Sequence, residues 1–342
     1  MSNPLFSWQA DAWSQLQALG TRLPHAFLLY GPIGTGKTVF AEHLAQSLLC
    51  EQPGADGHAC QQCASCGWFS QYSHPDYRRV RPELLDEEEA SNDPEAEPVP
   101  KSAKSGKPSK EIVINQIRAL ADFMNISTHR QGRRVIVLYP AEALNVPAAN
   151  ALLKSLEEPN PNTVFILVSN SLDKLLPTIL SRCHKFPLGM PAQDQSLQWL
   201  QSQGVSDADM WLAQQGGAPL AAFDMAKSEL RGELEDFLRQ LSKPAADGSL
   251  KIADKMQKMD MPVTVAWLQR WLYDLFSYKQ SGRIRYYPRY EKELKALAMR
   301  ADSDELLKVI KNTNERQAIS SHPLSAKLFL EDMLLEYSAL FE

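Results

Sequence analysis

Long hydrophobic runs are missing from this chain. No apolar stretch approaches the ~18 residues that a membrane-spanning helix requires; the longest, such as 135–139 and 164–168, are short. The opening residues, MSNPLFSWQA, carry no basic segment followed by an apolar one, so no secretion signal is expected. An excess of positive charge is missing too. The formal net charge is −5, which argues against a protein that coats nucleic acid by bulk charge. Internal repeats are absent. Cysteine is scarce and uneven: of five, four fall between Cys50 and Cys66. In an intracellular chain that clustering points to a metal rather than to disulfides. These absences leave a cytoplasmic, multi-domain protein. At roughly 150 residues per domain, length predicts two or three domains.

The first half alternates short apolar runs with helical patterns. Residues 25–30 (HAFLLY), 134–139 (RVIVLY) and 163–168 (TVFILV) read as buried strands, and 77–81 and 184–186 as weaker ones. Helices are expected over 37–49, 115–124 and 145–157, the last capped by Asn145 with Pro147 in its first turn. Buried strands alternating with helices imply a parallel sheet covered on both faces. Residues 82–110 break the pattern. Seven acids lie within 86–97 and four lysines within 101–110, so this segment is expected to be a mobile surface loop, a lure for a partner being the alternative. After Pro187 strand-like runs stop. Helical patterns cover 193–203, 207–215, 220–241, 263–279, 289–300, 304–319 and 325–341.

Residues 31–38 read GPIGTGKT, a complete phosphate-loop pattern between a strand and a helix. Gly31, Gly34 and Gly36 let the loop through Pro32, Ile33 and Thr35 turn tightly, so that its backbone N–H groups, which Pro32 lacks, point inward at phosphate. Lys37 is placed to reach the β- and γ-phosphates and Thr38 to hold Mg²⁺. Hydrolysis also needs an acid at the end of a neighbouring strand. There the chain has Tyr139 and Pro140, and Glu142 can substitute only through a shifted turn. The residues thus predict ATP or ADP binding without turnover. Cys50, Cys60, Cys63 and Cys66 form C-x9-C-x2-C-x2-C. Close thiolate pairs with a returning fourth suit a closed, structural Zn²⁺ site. Cys183 stands apart and reads as a small buried thiol.

The ordered combination of GPIGTGKT, a four-cysteine module, NALLKSLEEP at 150–159 and SRC at 181–183 resembles the bacterial DNA polymerase III clamp loader, a family of AAA+ proteins. HPD at 74–76, INQIR at 114–118 and QGGAPLAAF at 215–223 add to the likeness. The resemblance implies an AAA+ P-loop domain over 1–188 with a zinc module at 50–66. A helical lid over 189–228 and an all-α collar over 229–342 would follow. It implies a five-subunit ring containing tau/gamma motor subunits and a clamp-opening delta subunit, acting on a sliding clamp and primed DNA. Without acids at 139 and 140, and without an arginine near Pro219, this chain resembles the stator of that ring, a non-hydrolysing member of the polymerase holoenzyme. Arg182 would then complete a neighbour's ATP site as an arginine finger, a device typically worth ~10³–10⁵ in rate. Ser169 or Asn170 occupies the first-sensor position. Two other readings remain: a self-sufficient motor of the tau/gamma type, and a zinc-module DNA-binding protein switched by ATP. The segment 278–290, with four tyrosines among basic residues, is either a single-strand-binding platform or a loop between collar helices.

Overall fold

In the computed structural model, residues 4–20, 23–92, 108–129, 132–320 and 325–342 are described. The chain divides into two compact units, 1–190 and 191–342.

The first unit runs α1 (Ala10–Gln17), β1 (Ala26–Tyr30), α2 (Lys37–Leu49), α3 (Ala64–Ser70), β2 (Tyr77–Val80), α4 (Glu83–Asn92), α5 (Ile114–Asn125), β3 (Arg134–Leu138), α6 (Val146–Glu157), β4 (Thr163–Ser169), α7 (Pro177–Leu180) and β5 (His184–Pro187). The five strands form one parallel sheet in the order β2-β3-β4-β1-β5. Leu28 of β1 sits opposite Leu167 of β4 and Lys185 of β5. β3 and β4 are buried along their whole length, as strands covered on both faces must be. One face packs Phe27, Leu29, Val135, Val137 and Ile166 against α1 and α2; the other packs Leu28, Ile136, Phe165 and Leu167 against α5 and α6. Between β1 and its sheet neighbour β4 the chain makes its long excursion through β2 and β3. The strand order therefore switches direction beside the carboxyl end of β1, where ligands of open α/β sheets bind.

α4 corrects the expected mobile loop at its start. Residues 83–92 are helical because their acids have partners. Arg79 grips Glu89 with both nitrogens, at 3.2 and 2.7 Å, while Arg81 pairs with Asp86 at 2.5 Å and also with Glu89. Paired charge on β2 replaces the apolar face that the segment lacks. Of the rest of the expected loop, residues 93–107 lie outside the described residues.

The second unit is all-helical: α8 (Gln193–Ser202), α9 (Ala208–Gln214), α10 (Pro219–Lys227), α11 (Arg231–Ser242), α12 (Ala246–Met256), α13 (Met261–Ser281), α14 (Glu291–Arg300), α15 (Ser303–Ile319) and α16 (Ala326–Ala339). A single core runs from Leu200 through Trp211, Phe237, Trp267 and Trp271 to Tyr337, so the helices before and after residue 228 share one interior. Residues 220–241, read from sequence as one helix, break between α10 and α11, and α12 went unread. No described helix is long and apolar enough to cross a membrane.

Candidate functional site

The phosphate loop leaves β1 and opens α2. Gly36 is the residue before α2, with φ 84°, and a Cβ there would lie 2.7 Å from the Phe6 ring. Gly31 lets the loop pass against the backbone beyond β5, where an added Cβ would meet the Leu188 carbonyl oxygen at 1.9 Å. Both positions require glycine for space, and Gly36 for conformation as well. The segment before α1 clamps the loop from outside. The Trp8 indole N–H donates to the Thr35 carbonyl at 3.1 Å, and the Gln9 amide donates to the Gly36 carbonyl at 2.9 Å. Nothing local in the sequence signals this clamp beyond a polar residue, Gln9, between Trp8 and Ala10.

Lys37 is buried, and its Nζ donates to the Pro32 carbonyl, which also accepts from the Thr35 hydroxyl at 3.0 Å. Burial pulls the Lys37 pKa down to about 8, against the opposing charge of Glu142. Ile33 and Thr38 are exposed, and Pro32 and Gly34 shape the outer turn. Thr38 opens on a cavity of about 190 Å³ that it shares with Glu42, Tyr72, Arg79, Glu89 and Tyr139.

Tyr139 stands immediately after β3, where the metal-holding acid of a hydrolase is expected. Its hydroxyl donates to Glu42 at 3.4 Å and accepts from Arg81 at 3.4 Å. Burial raises its pKa to about 12 and also raises that of the Glu42 carboxyl. A neutral phenol tied between a glutamate and an arginine is no magnesium ligand near neutral pH. Glu142, in the turn 141–143, is turned toward the end of β4. It accepts from the Asn170 backbone at 3.1 Å and from the Asn170 side chain at 2.9 Å. Of the two sensor candidates, Asn170 thus meets an acid. Ser169 is fully buried and closes on Ser171.

The four cysteines come together. Cys50 is the residue that ends α2, and Cys63 starts α3 and accepts from the Cys66 N–H at 3.4 Å. Their four sulfurs lie within 4.8 Å of one another, Cys50 and Cys63 being 3.9 Å apart. A tetrahedral ion with Zn–S bonds of about 2.3 Å needs sulfurs about 3.8 Å apart, so the donor set fits that ion. All four are free thiols. Backbone N–H groups of Gln62 and Cys63 bring Cys60 down to about 6, whereas burial pushes Cys50 and Cys66 up. The module is wired to its surroundings through His43, Trp13 and Ser65, for which the sequence carries no signal. His43 of α2 meets His58 at 2.7 Å, Trp13 stacks on His58, and Ser65 of α3 bonds the HPD residue His74 at 2.7 Å. Cys183 is buried, which raises its thiol to about 11.

Arg182 lies on the surface between α7 and β5. It is ion-paired with Glu157 at 2.5 Å and donates to the Thr178 carbonyl at 2.9 Å. It is not brought to this chain's own phosphate loop by any contact. In the second unit, the tyrosines of 278–290 are largely spoken for. Tyr287 is buried and bonds the Trp267 carbonyl at 3.2 Å, and Tyr290 packs edge-on to Trp271. These two tyrosines thus pack into the helical core.

A family model described as DNA polymerase III, delta subunit, matches residues 8–191, and one for the C-terminal part of that subunit matches 228–339. DNA polymerase III subunit delta-prime of Pseudomonas aeruginosa is 36% identical over 282 residues, covering 80% of this chain and 78% of that protein. The Escherichia coli subunit of the same name is 28% identical over 256 residues, covering 73% and 69%. Among solved structures, a DNA polymerase III gamma subunit-related protein from Thermotoga maritima aligns over 98% of this chain and all of that one, at 18% identity and a TM-score of 0.45. An intact phosphate loop, a strand ending in Tyr139 and a four-thiol module thus occur in a chain that belongs to the delta-prime subunit family of DNA polymerase III.

Proposed function

We propose that this chain is the stator of a bacterial clamp loader. In the cytoplasm it joins tau/gamma motor subunits and a clamp-opening delta subunit, and the assembly places a sliding clamp on primed DNA. The observation that carries this reading is Tyr139. Its phenol, held by Glu42 and Arg81, fills the place of the magnesium acid, so ATP or ADP at the phosphate loop is retained and not turned over. Zn²⁺, held by Cys50, Cys60, Cys63 and Cys66, is structural, because four ligands leave no open position. The helices over 189–228 act as a lid and those over 229–342 as a collar.

The chain's catalytic contribution is Arg182. A guanidinium offers a planar pair of donors to two phosphate oxygens, which lysine cannot. The pair with Glu157 is partly exposed on both sides, and such pairs are worth only about 0.2–1 kcal/mol. Exchanging Glu157 for a neighbour's triphosphate therefore costs little. A second reading, a self-sufficient motor, is favoured by Glu142, whose charge reaches Lys37. One experiment separates them. In a reconstituted pentamer, Arg182→Ala is expected to lower DNA-stimulated phosphate release at least tenfold, with assembly by native mass unchanged, while the isolated wild-type chain releases essentially none. Equal turnover by mutant and wild-type pentamers removes the finger. Motor-like turnover by the isolated chain removes the stator.

A further inference from the structure

We propose that the helical unit carries a binding site for a flat, uncharged aromatic ring bearing an N–H donor, of the indole class, in a cavity between α9, α11 and the turn 288–290. The cavity measures about 200 Å³. An engineered apolar cavity of about 150 Å³ is enough to bind benzene, so this one has room for a bicyclic ring and too little for a nucleotide. Its lining combines apolar and aromatic side chains, Trp211, Leu238, Tyr287 and Tyr290 among them, with three charged ones, Glu235, Arg239 and Arg289. Trp211, Leu238 and Tyr287 are each at most 2% exposed, so the ring would be seated among fixed side chains.

One wall residue does not fit a dry cavity. Gln214, the last residue of α9, is 6% exposed, and its side-chain oxygen has no hydrogen-bond partner. A buried amide oxygen left without a donor is a standing cost. The neighbouring hydroxyl that might have served it is engaged elsewhere: Tyr287 donates to the Trp267 carbonyl. A ligand N–H entering the cavity supplies the missing donor. The three charged lining residues do not redirect the site toward an ion, because each already has a partner: Arg289 pairs with Asp207 at 2.5 Å, Arg239 with Asp236 at 3.0 Å and Glu235 with Arg231 at 3.6 Å. The chemistry selected is therefore a neutral ring with one donor.

The test uses the full chain, with 5-fluoroindole and its N-methyl derivative titrated by ¹⁹F NMR. Saturable binding of 5-fluoroindole, with the N-methyl compound about tenfold weaker, is expected, since only the first can donate to Gln214. In Gln214→Leu, 5-fluoroindole should fall to the affinity of the N-methyl compound. The melting temperature should hold or rise, because the substitution removes the orphaned oxygen. N-acetyl-5-fluorotryptophanamide identifies the source of the ring. If it binds as well as the free indole, the natural occupant is a tryptophan side chain of a protein partner; if it does not bind, the occupant is a free small molecule, and the site stands either way. Equal affinities of the two indoles for the wild-type chain, or no saturable binding of either, overturns the proposal.

Discussion

Lys37 shows at the scale of one residue how a binding function is stored against stability. Its ammonium is buried in the phosphate loop, and burial depresses its pKa from 10.5 to about 8. A lysine depressed in the folded state binds fewer protons there than in the unfolded chain between those two values. Stability attributable to it therefore rises with pH across that window and is lost as pH falls through about 8. Lys37→Met keeps the side-chain length and removes the charge. It gives up the bond to Pro32, whose carbonyl still accepts from Thr35. The variant is expected to be more stable than wild type by roughly 1 kcal/mol at pH 7, with the difference shrinking toward pH 10. Thermal melts of both proteins at each pH check this; a gap that widens with pH contradicts it. Glu42 and Tyr139 tell the same story from the other side. The cavity onto which Thr38 opens is bordered by a phenol and a carboxyl whose pKa burial raises.

At the scale of elements, what the sequence discloses depends on whether a segment's partners are near in the chain. The strands β1, β3 and β4 were legible because both their faces are buried and their residues are apolar without alternation. The start of α6 was legible because Asn145 caps the Ala148 N–H locally and Pro147 sits in the first turn. α4 was not legible. Its acids read as a solvated run until Arg79 on β2 and Arg81 just after it are seen beside them. Likewise the phosphate loop and the cysteine module carry their spacing in the sequence, whereas the Trp8 and Gln9 clamp is set by folding alone. Asp274, within α13, is a further case. Fully buried in an apolar stretch, it accepts from the backbone N–H groups of Arg285 at 2.8 Å, Tyr286 at 3.0 Å and Tyr287 at 2.8 Å. One carboxylate thereby turns the chain between α13 and α14 and seats Tyr287 in the core. Asp274→Ala strands those donors and should cost about 3 kcal/mol or more, with Asp274→Asn intermediate because one acceptor oxygen remains. Urea unfolding gives the cost, and hydrogen exchange at residues 285–287 locates it. Amides that stay protected in the alanine variant would show that the turn has another anchor.

At the scale of the whole molecule, the cysteine module joins the phosphate loop to the sheet edge. α2 begins at Lys37 and ends against Cys50; α3 begins at Cys63, and Ser65 reaches both the Leu49 carbonyl at 2.6 Å and His74 at 2.7 Å, just before β2. An ion held by the four thiols would therefore tie the far end of the phosphate-loop helix to the strand that carries Arg79. The near end of α2 is secured separately, by Gln9 on the Gly36 carbonyl. Because the sheet has its own core on both faces, the module is not the sole source of folding energy, unlike a zinc finger that unfolds without metal. Removing the metal should loosen the structure in a defined order. Cys63→Ser is expected to reduce bound zinc, measured by elemental analysis, from one ion per chain to a small fraction, and to lower the melting temperature by several degrees. Hydrogen exchange should accelerate across residues 50–74 and the last turn of α2. β3 and β4 should keep their protection, and α2 should keep its own near Lys37. Uniform acceleration through the sheet would mean that the metal holds the whole unit. Unchanged exchange at residues 50–74 would mean that the Ser65, His43 and Trp13 contacts suffice to hold the module without it.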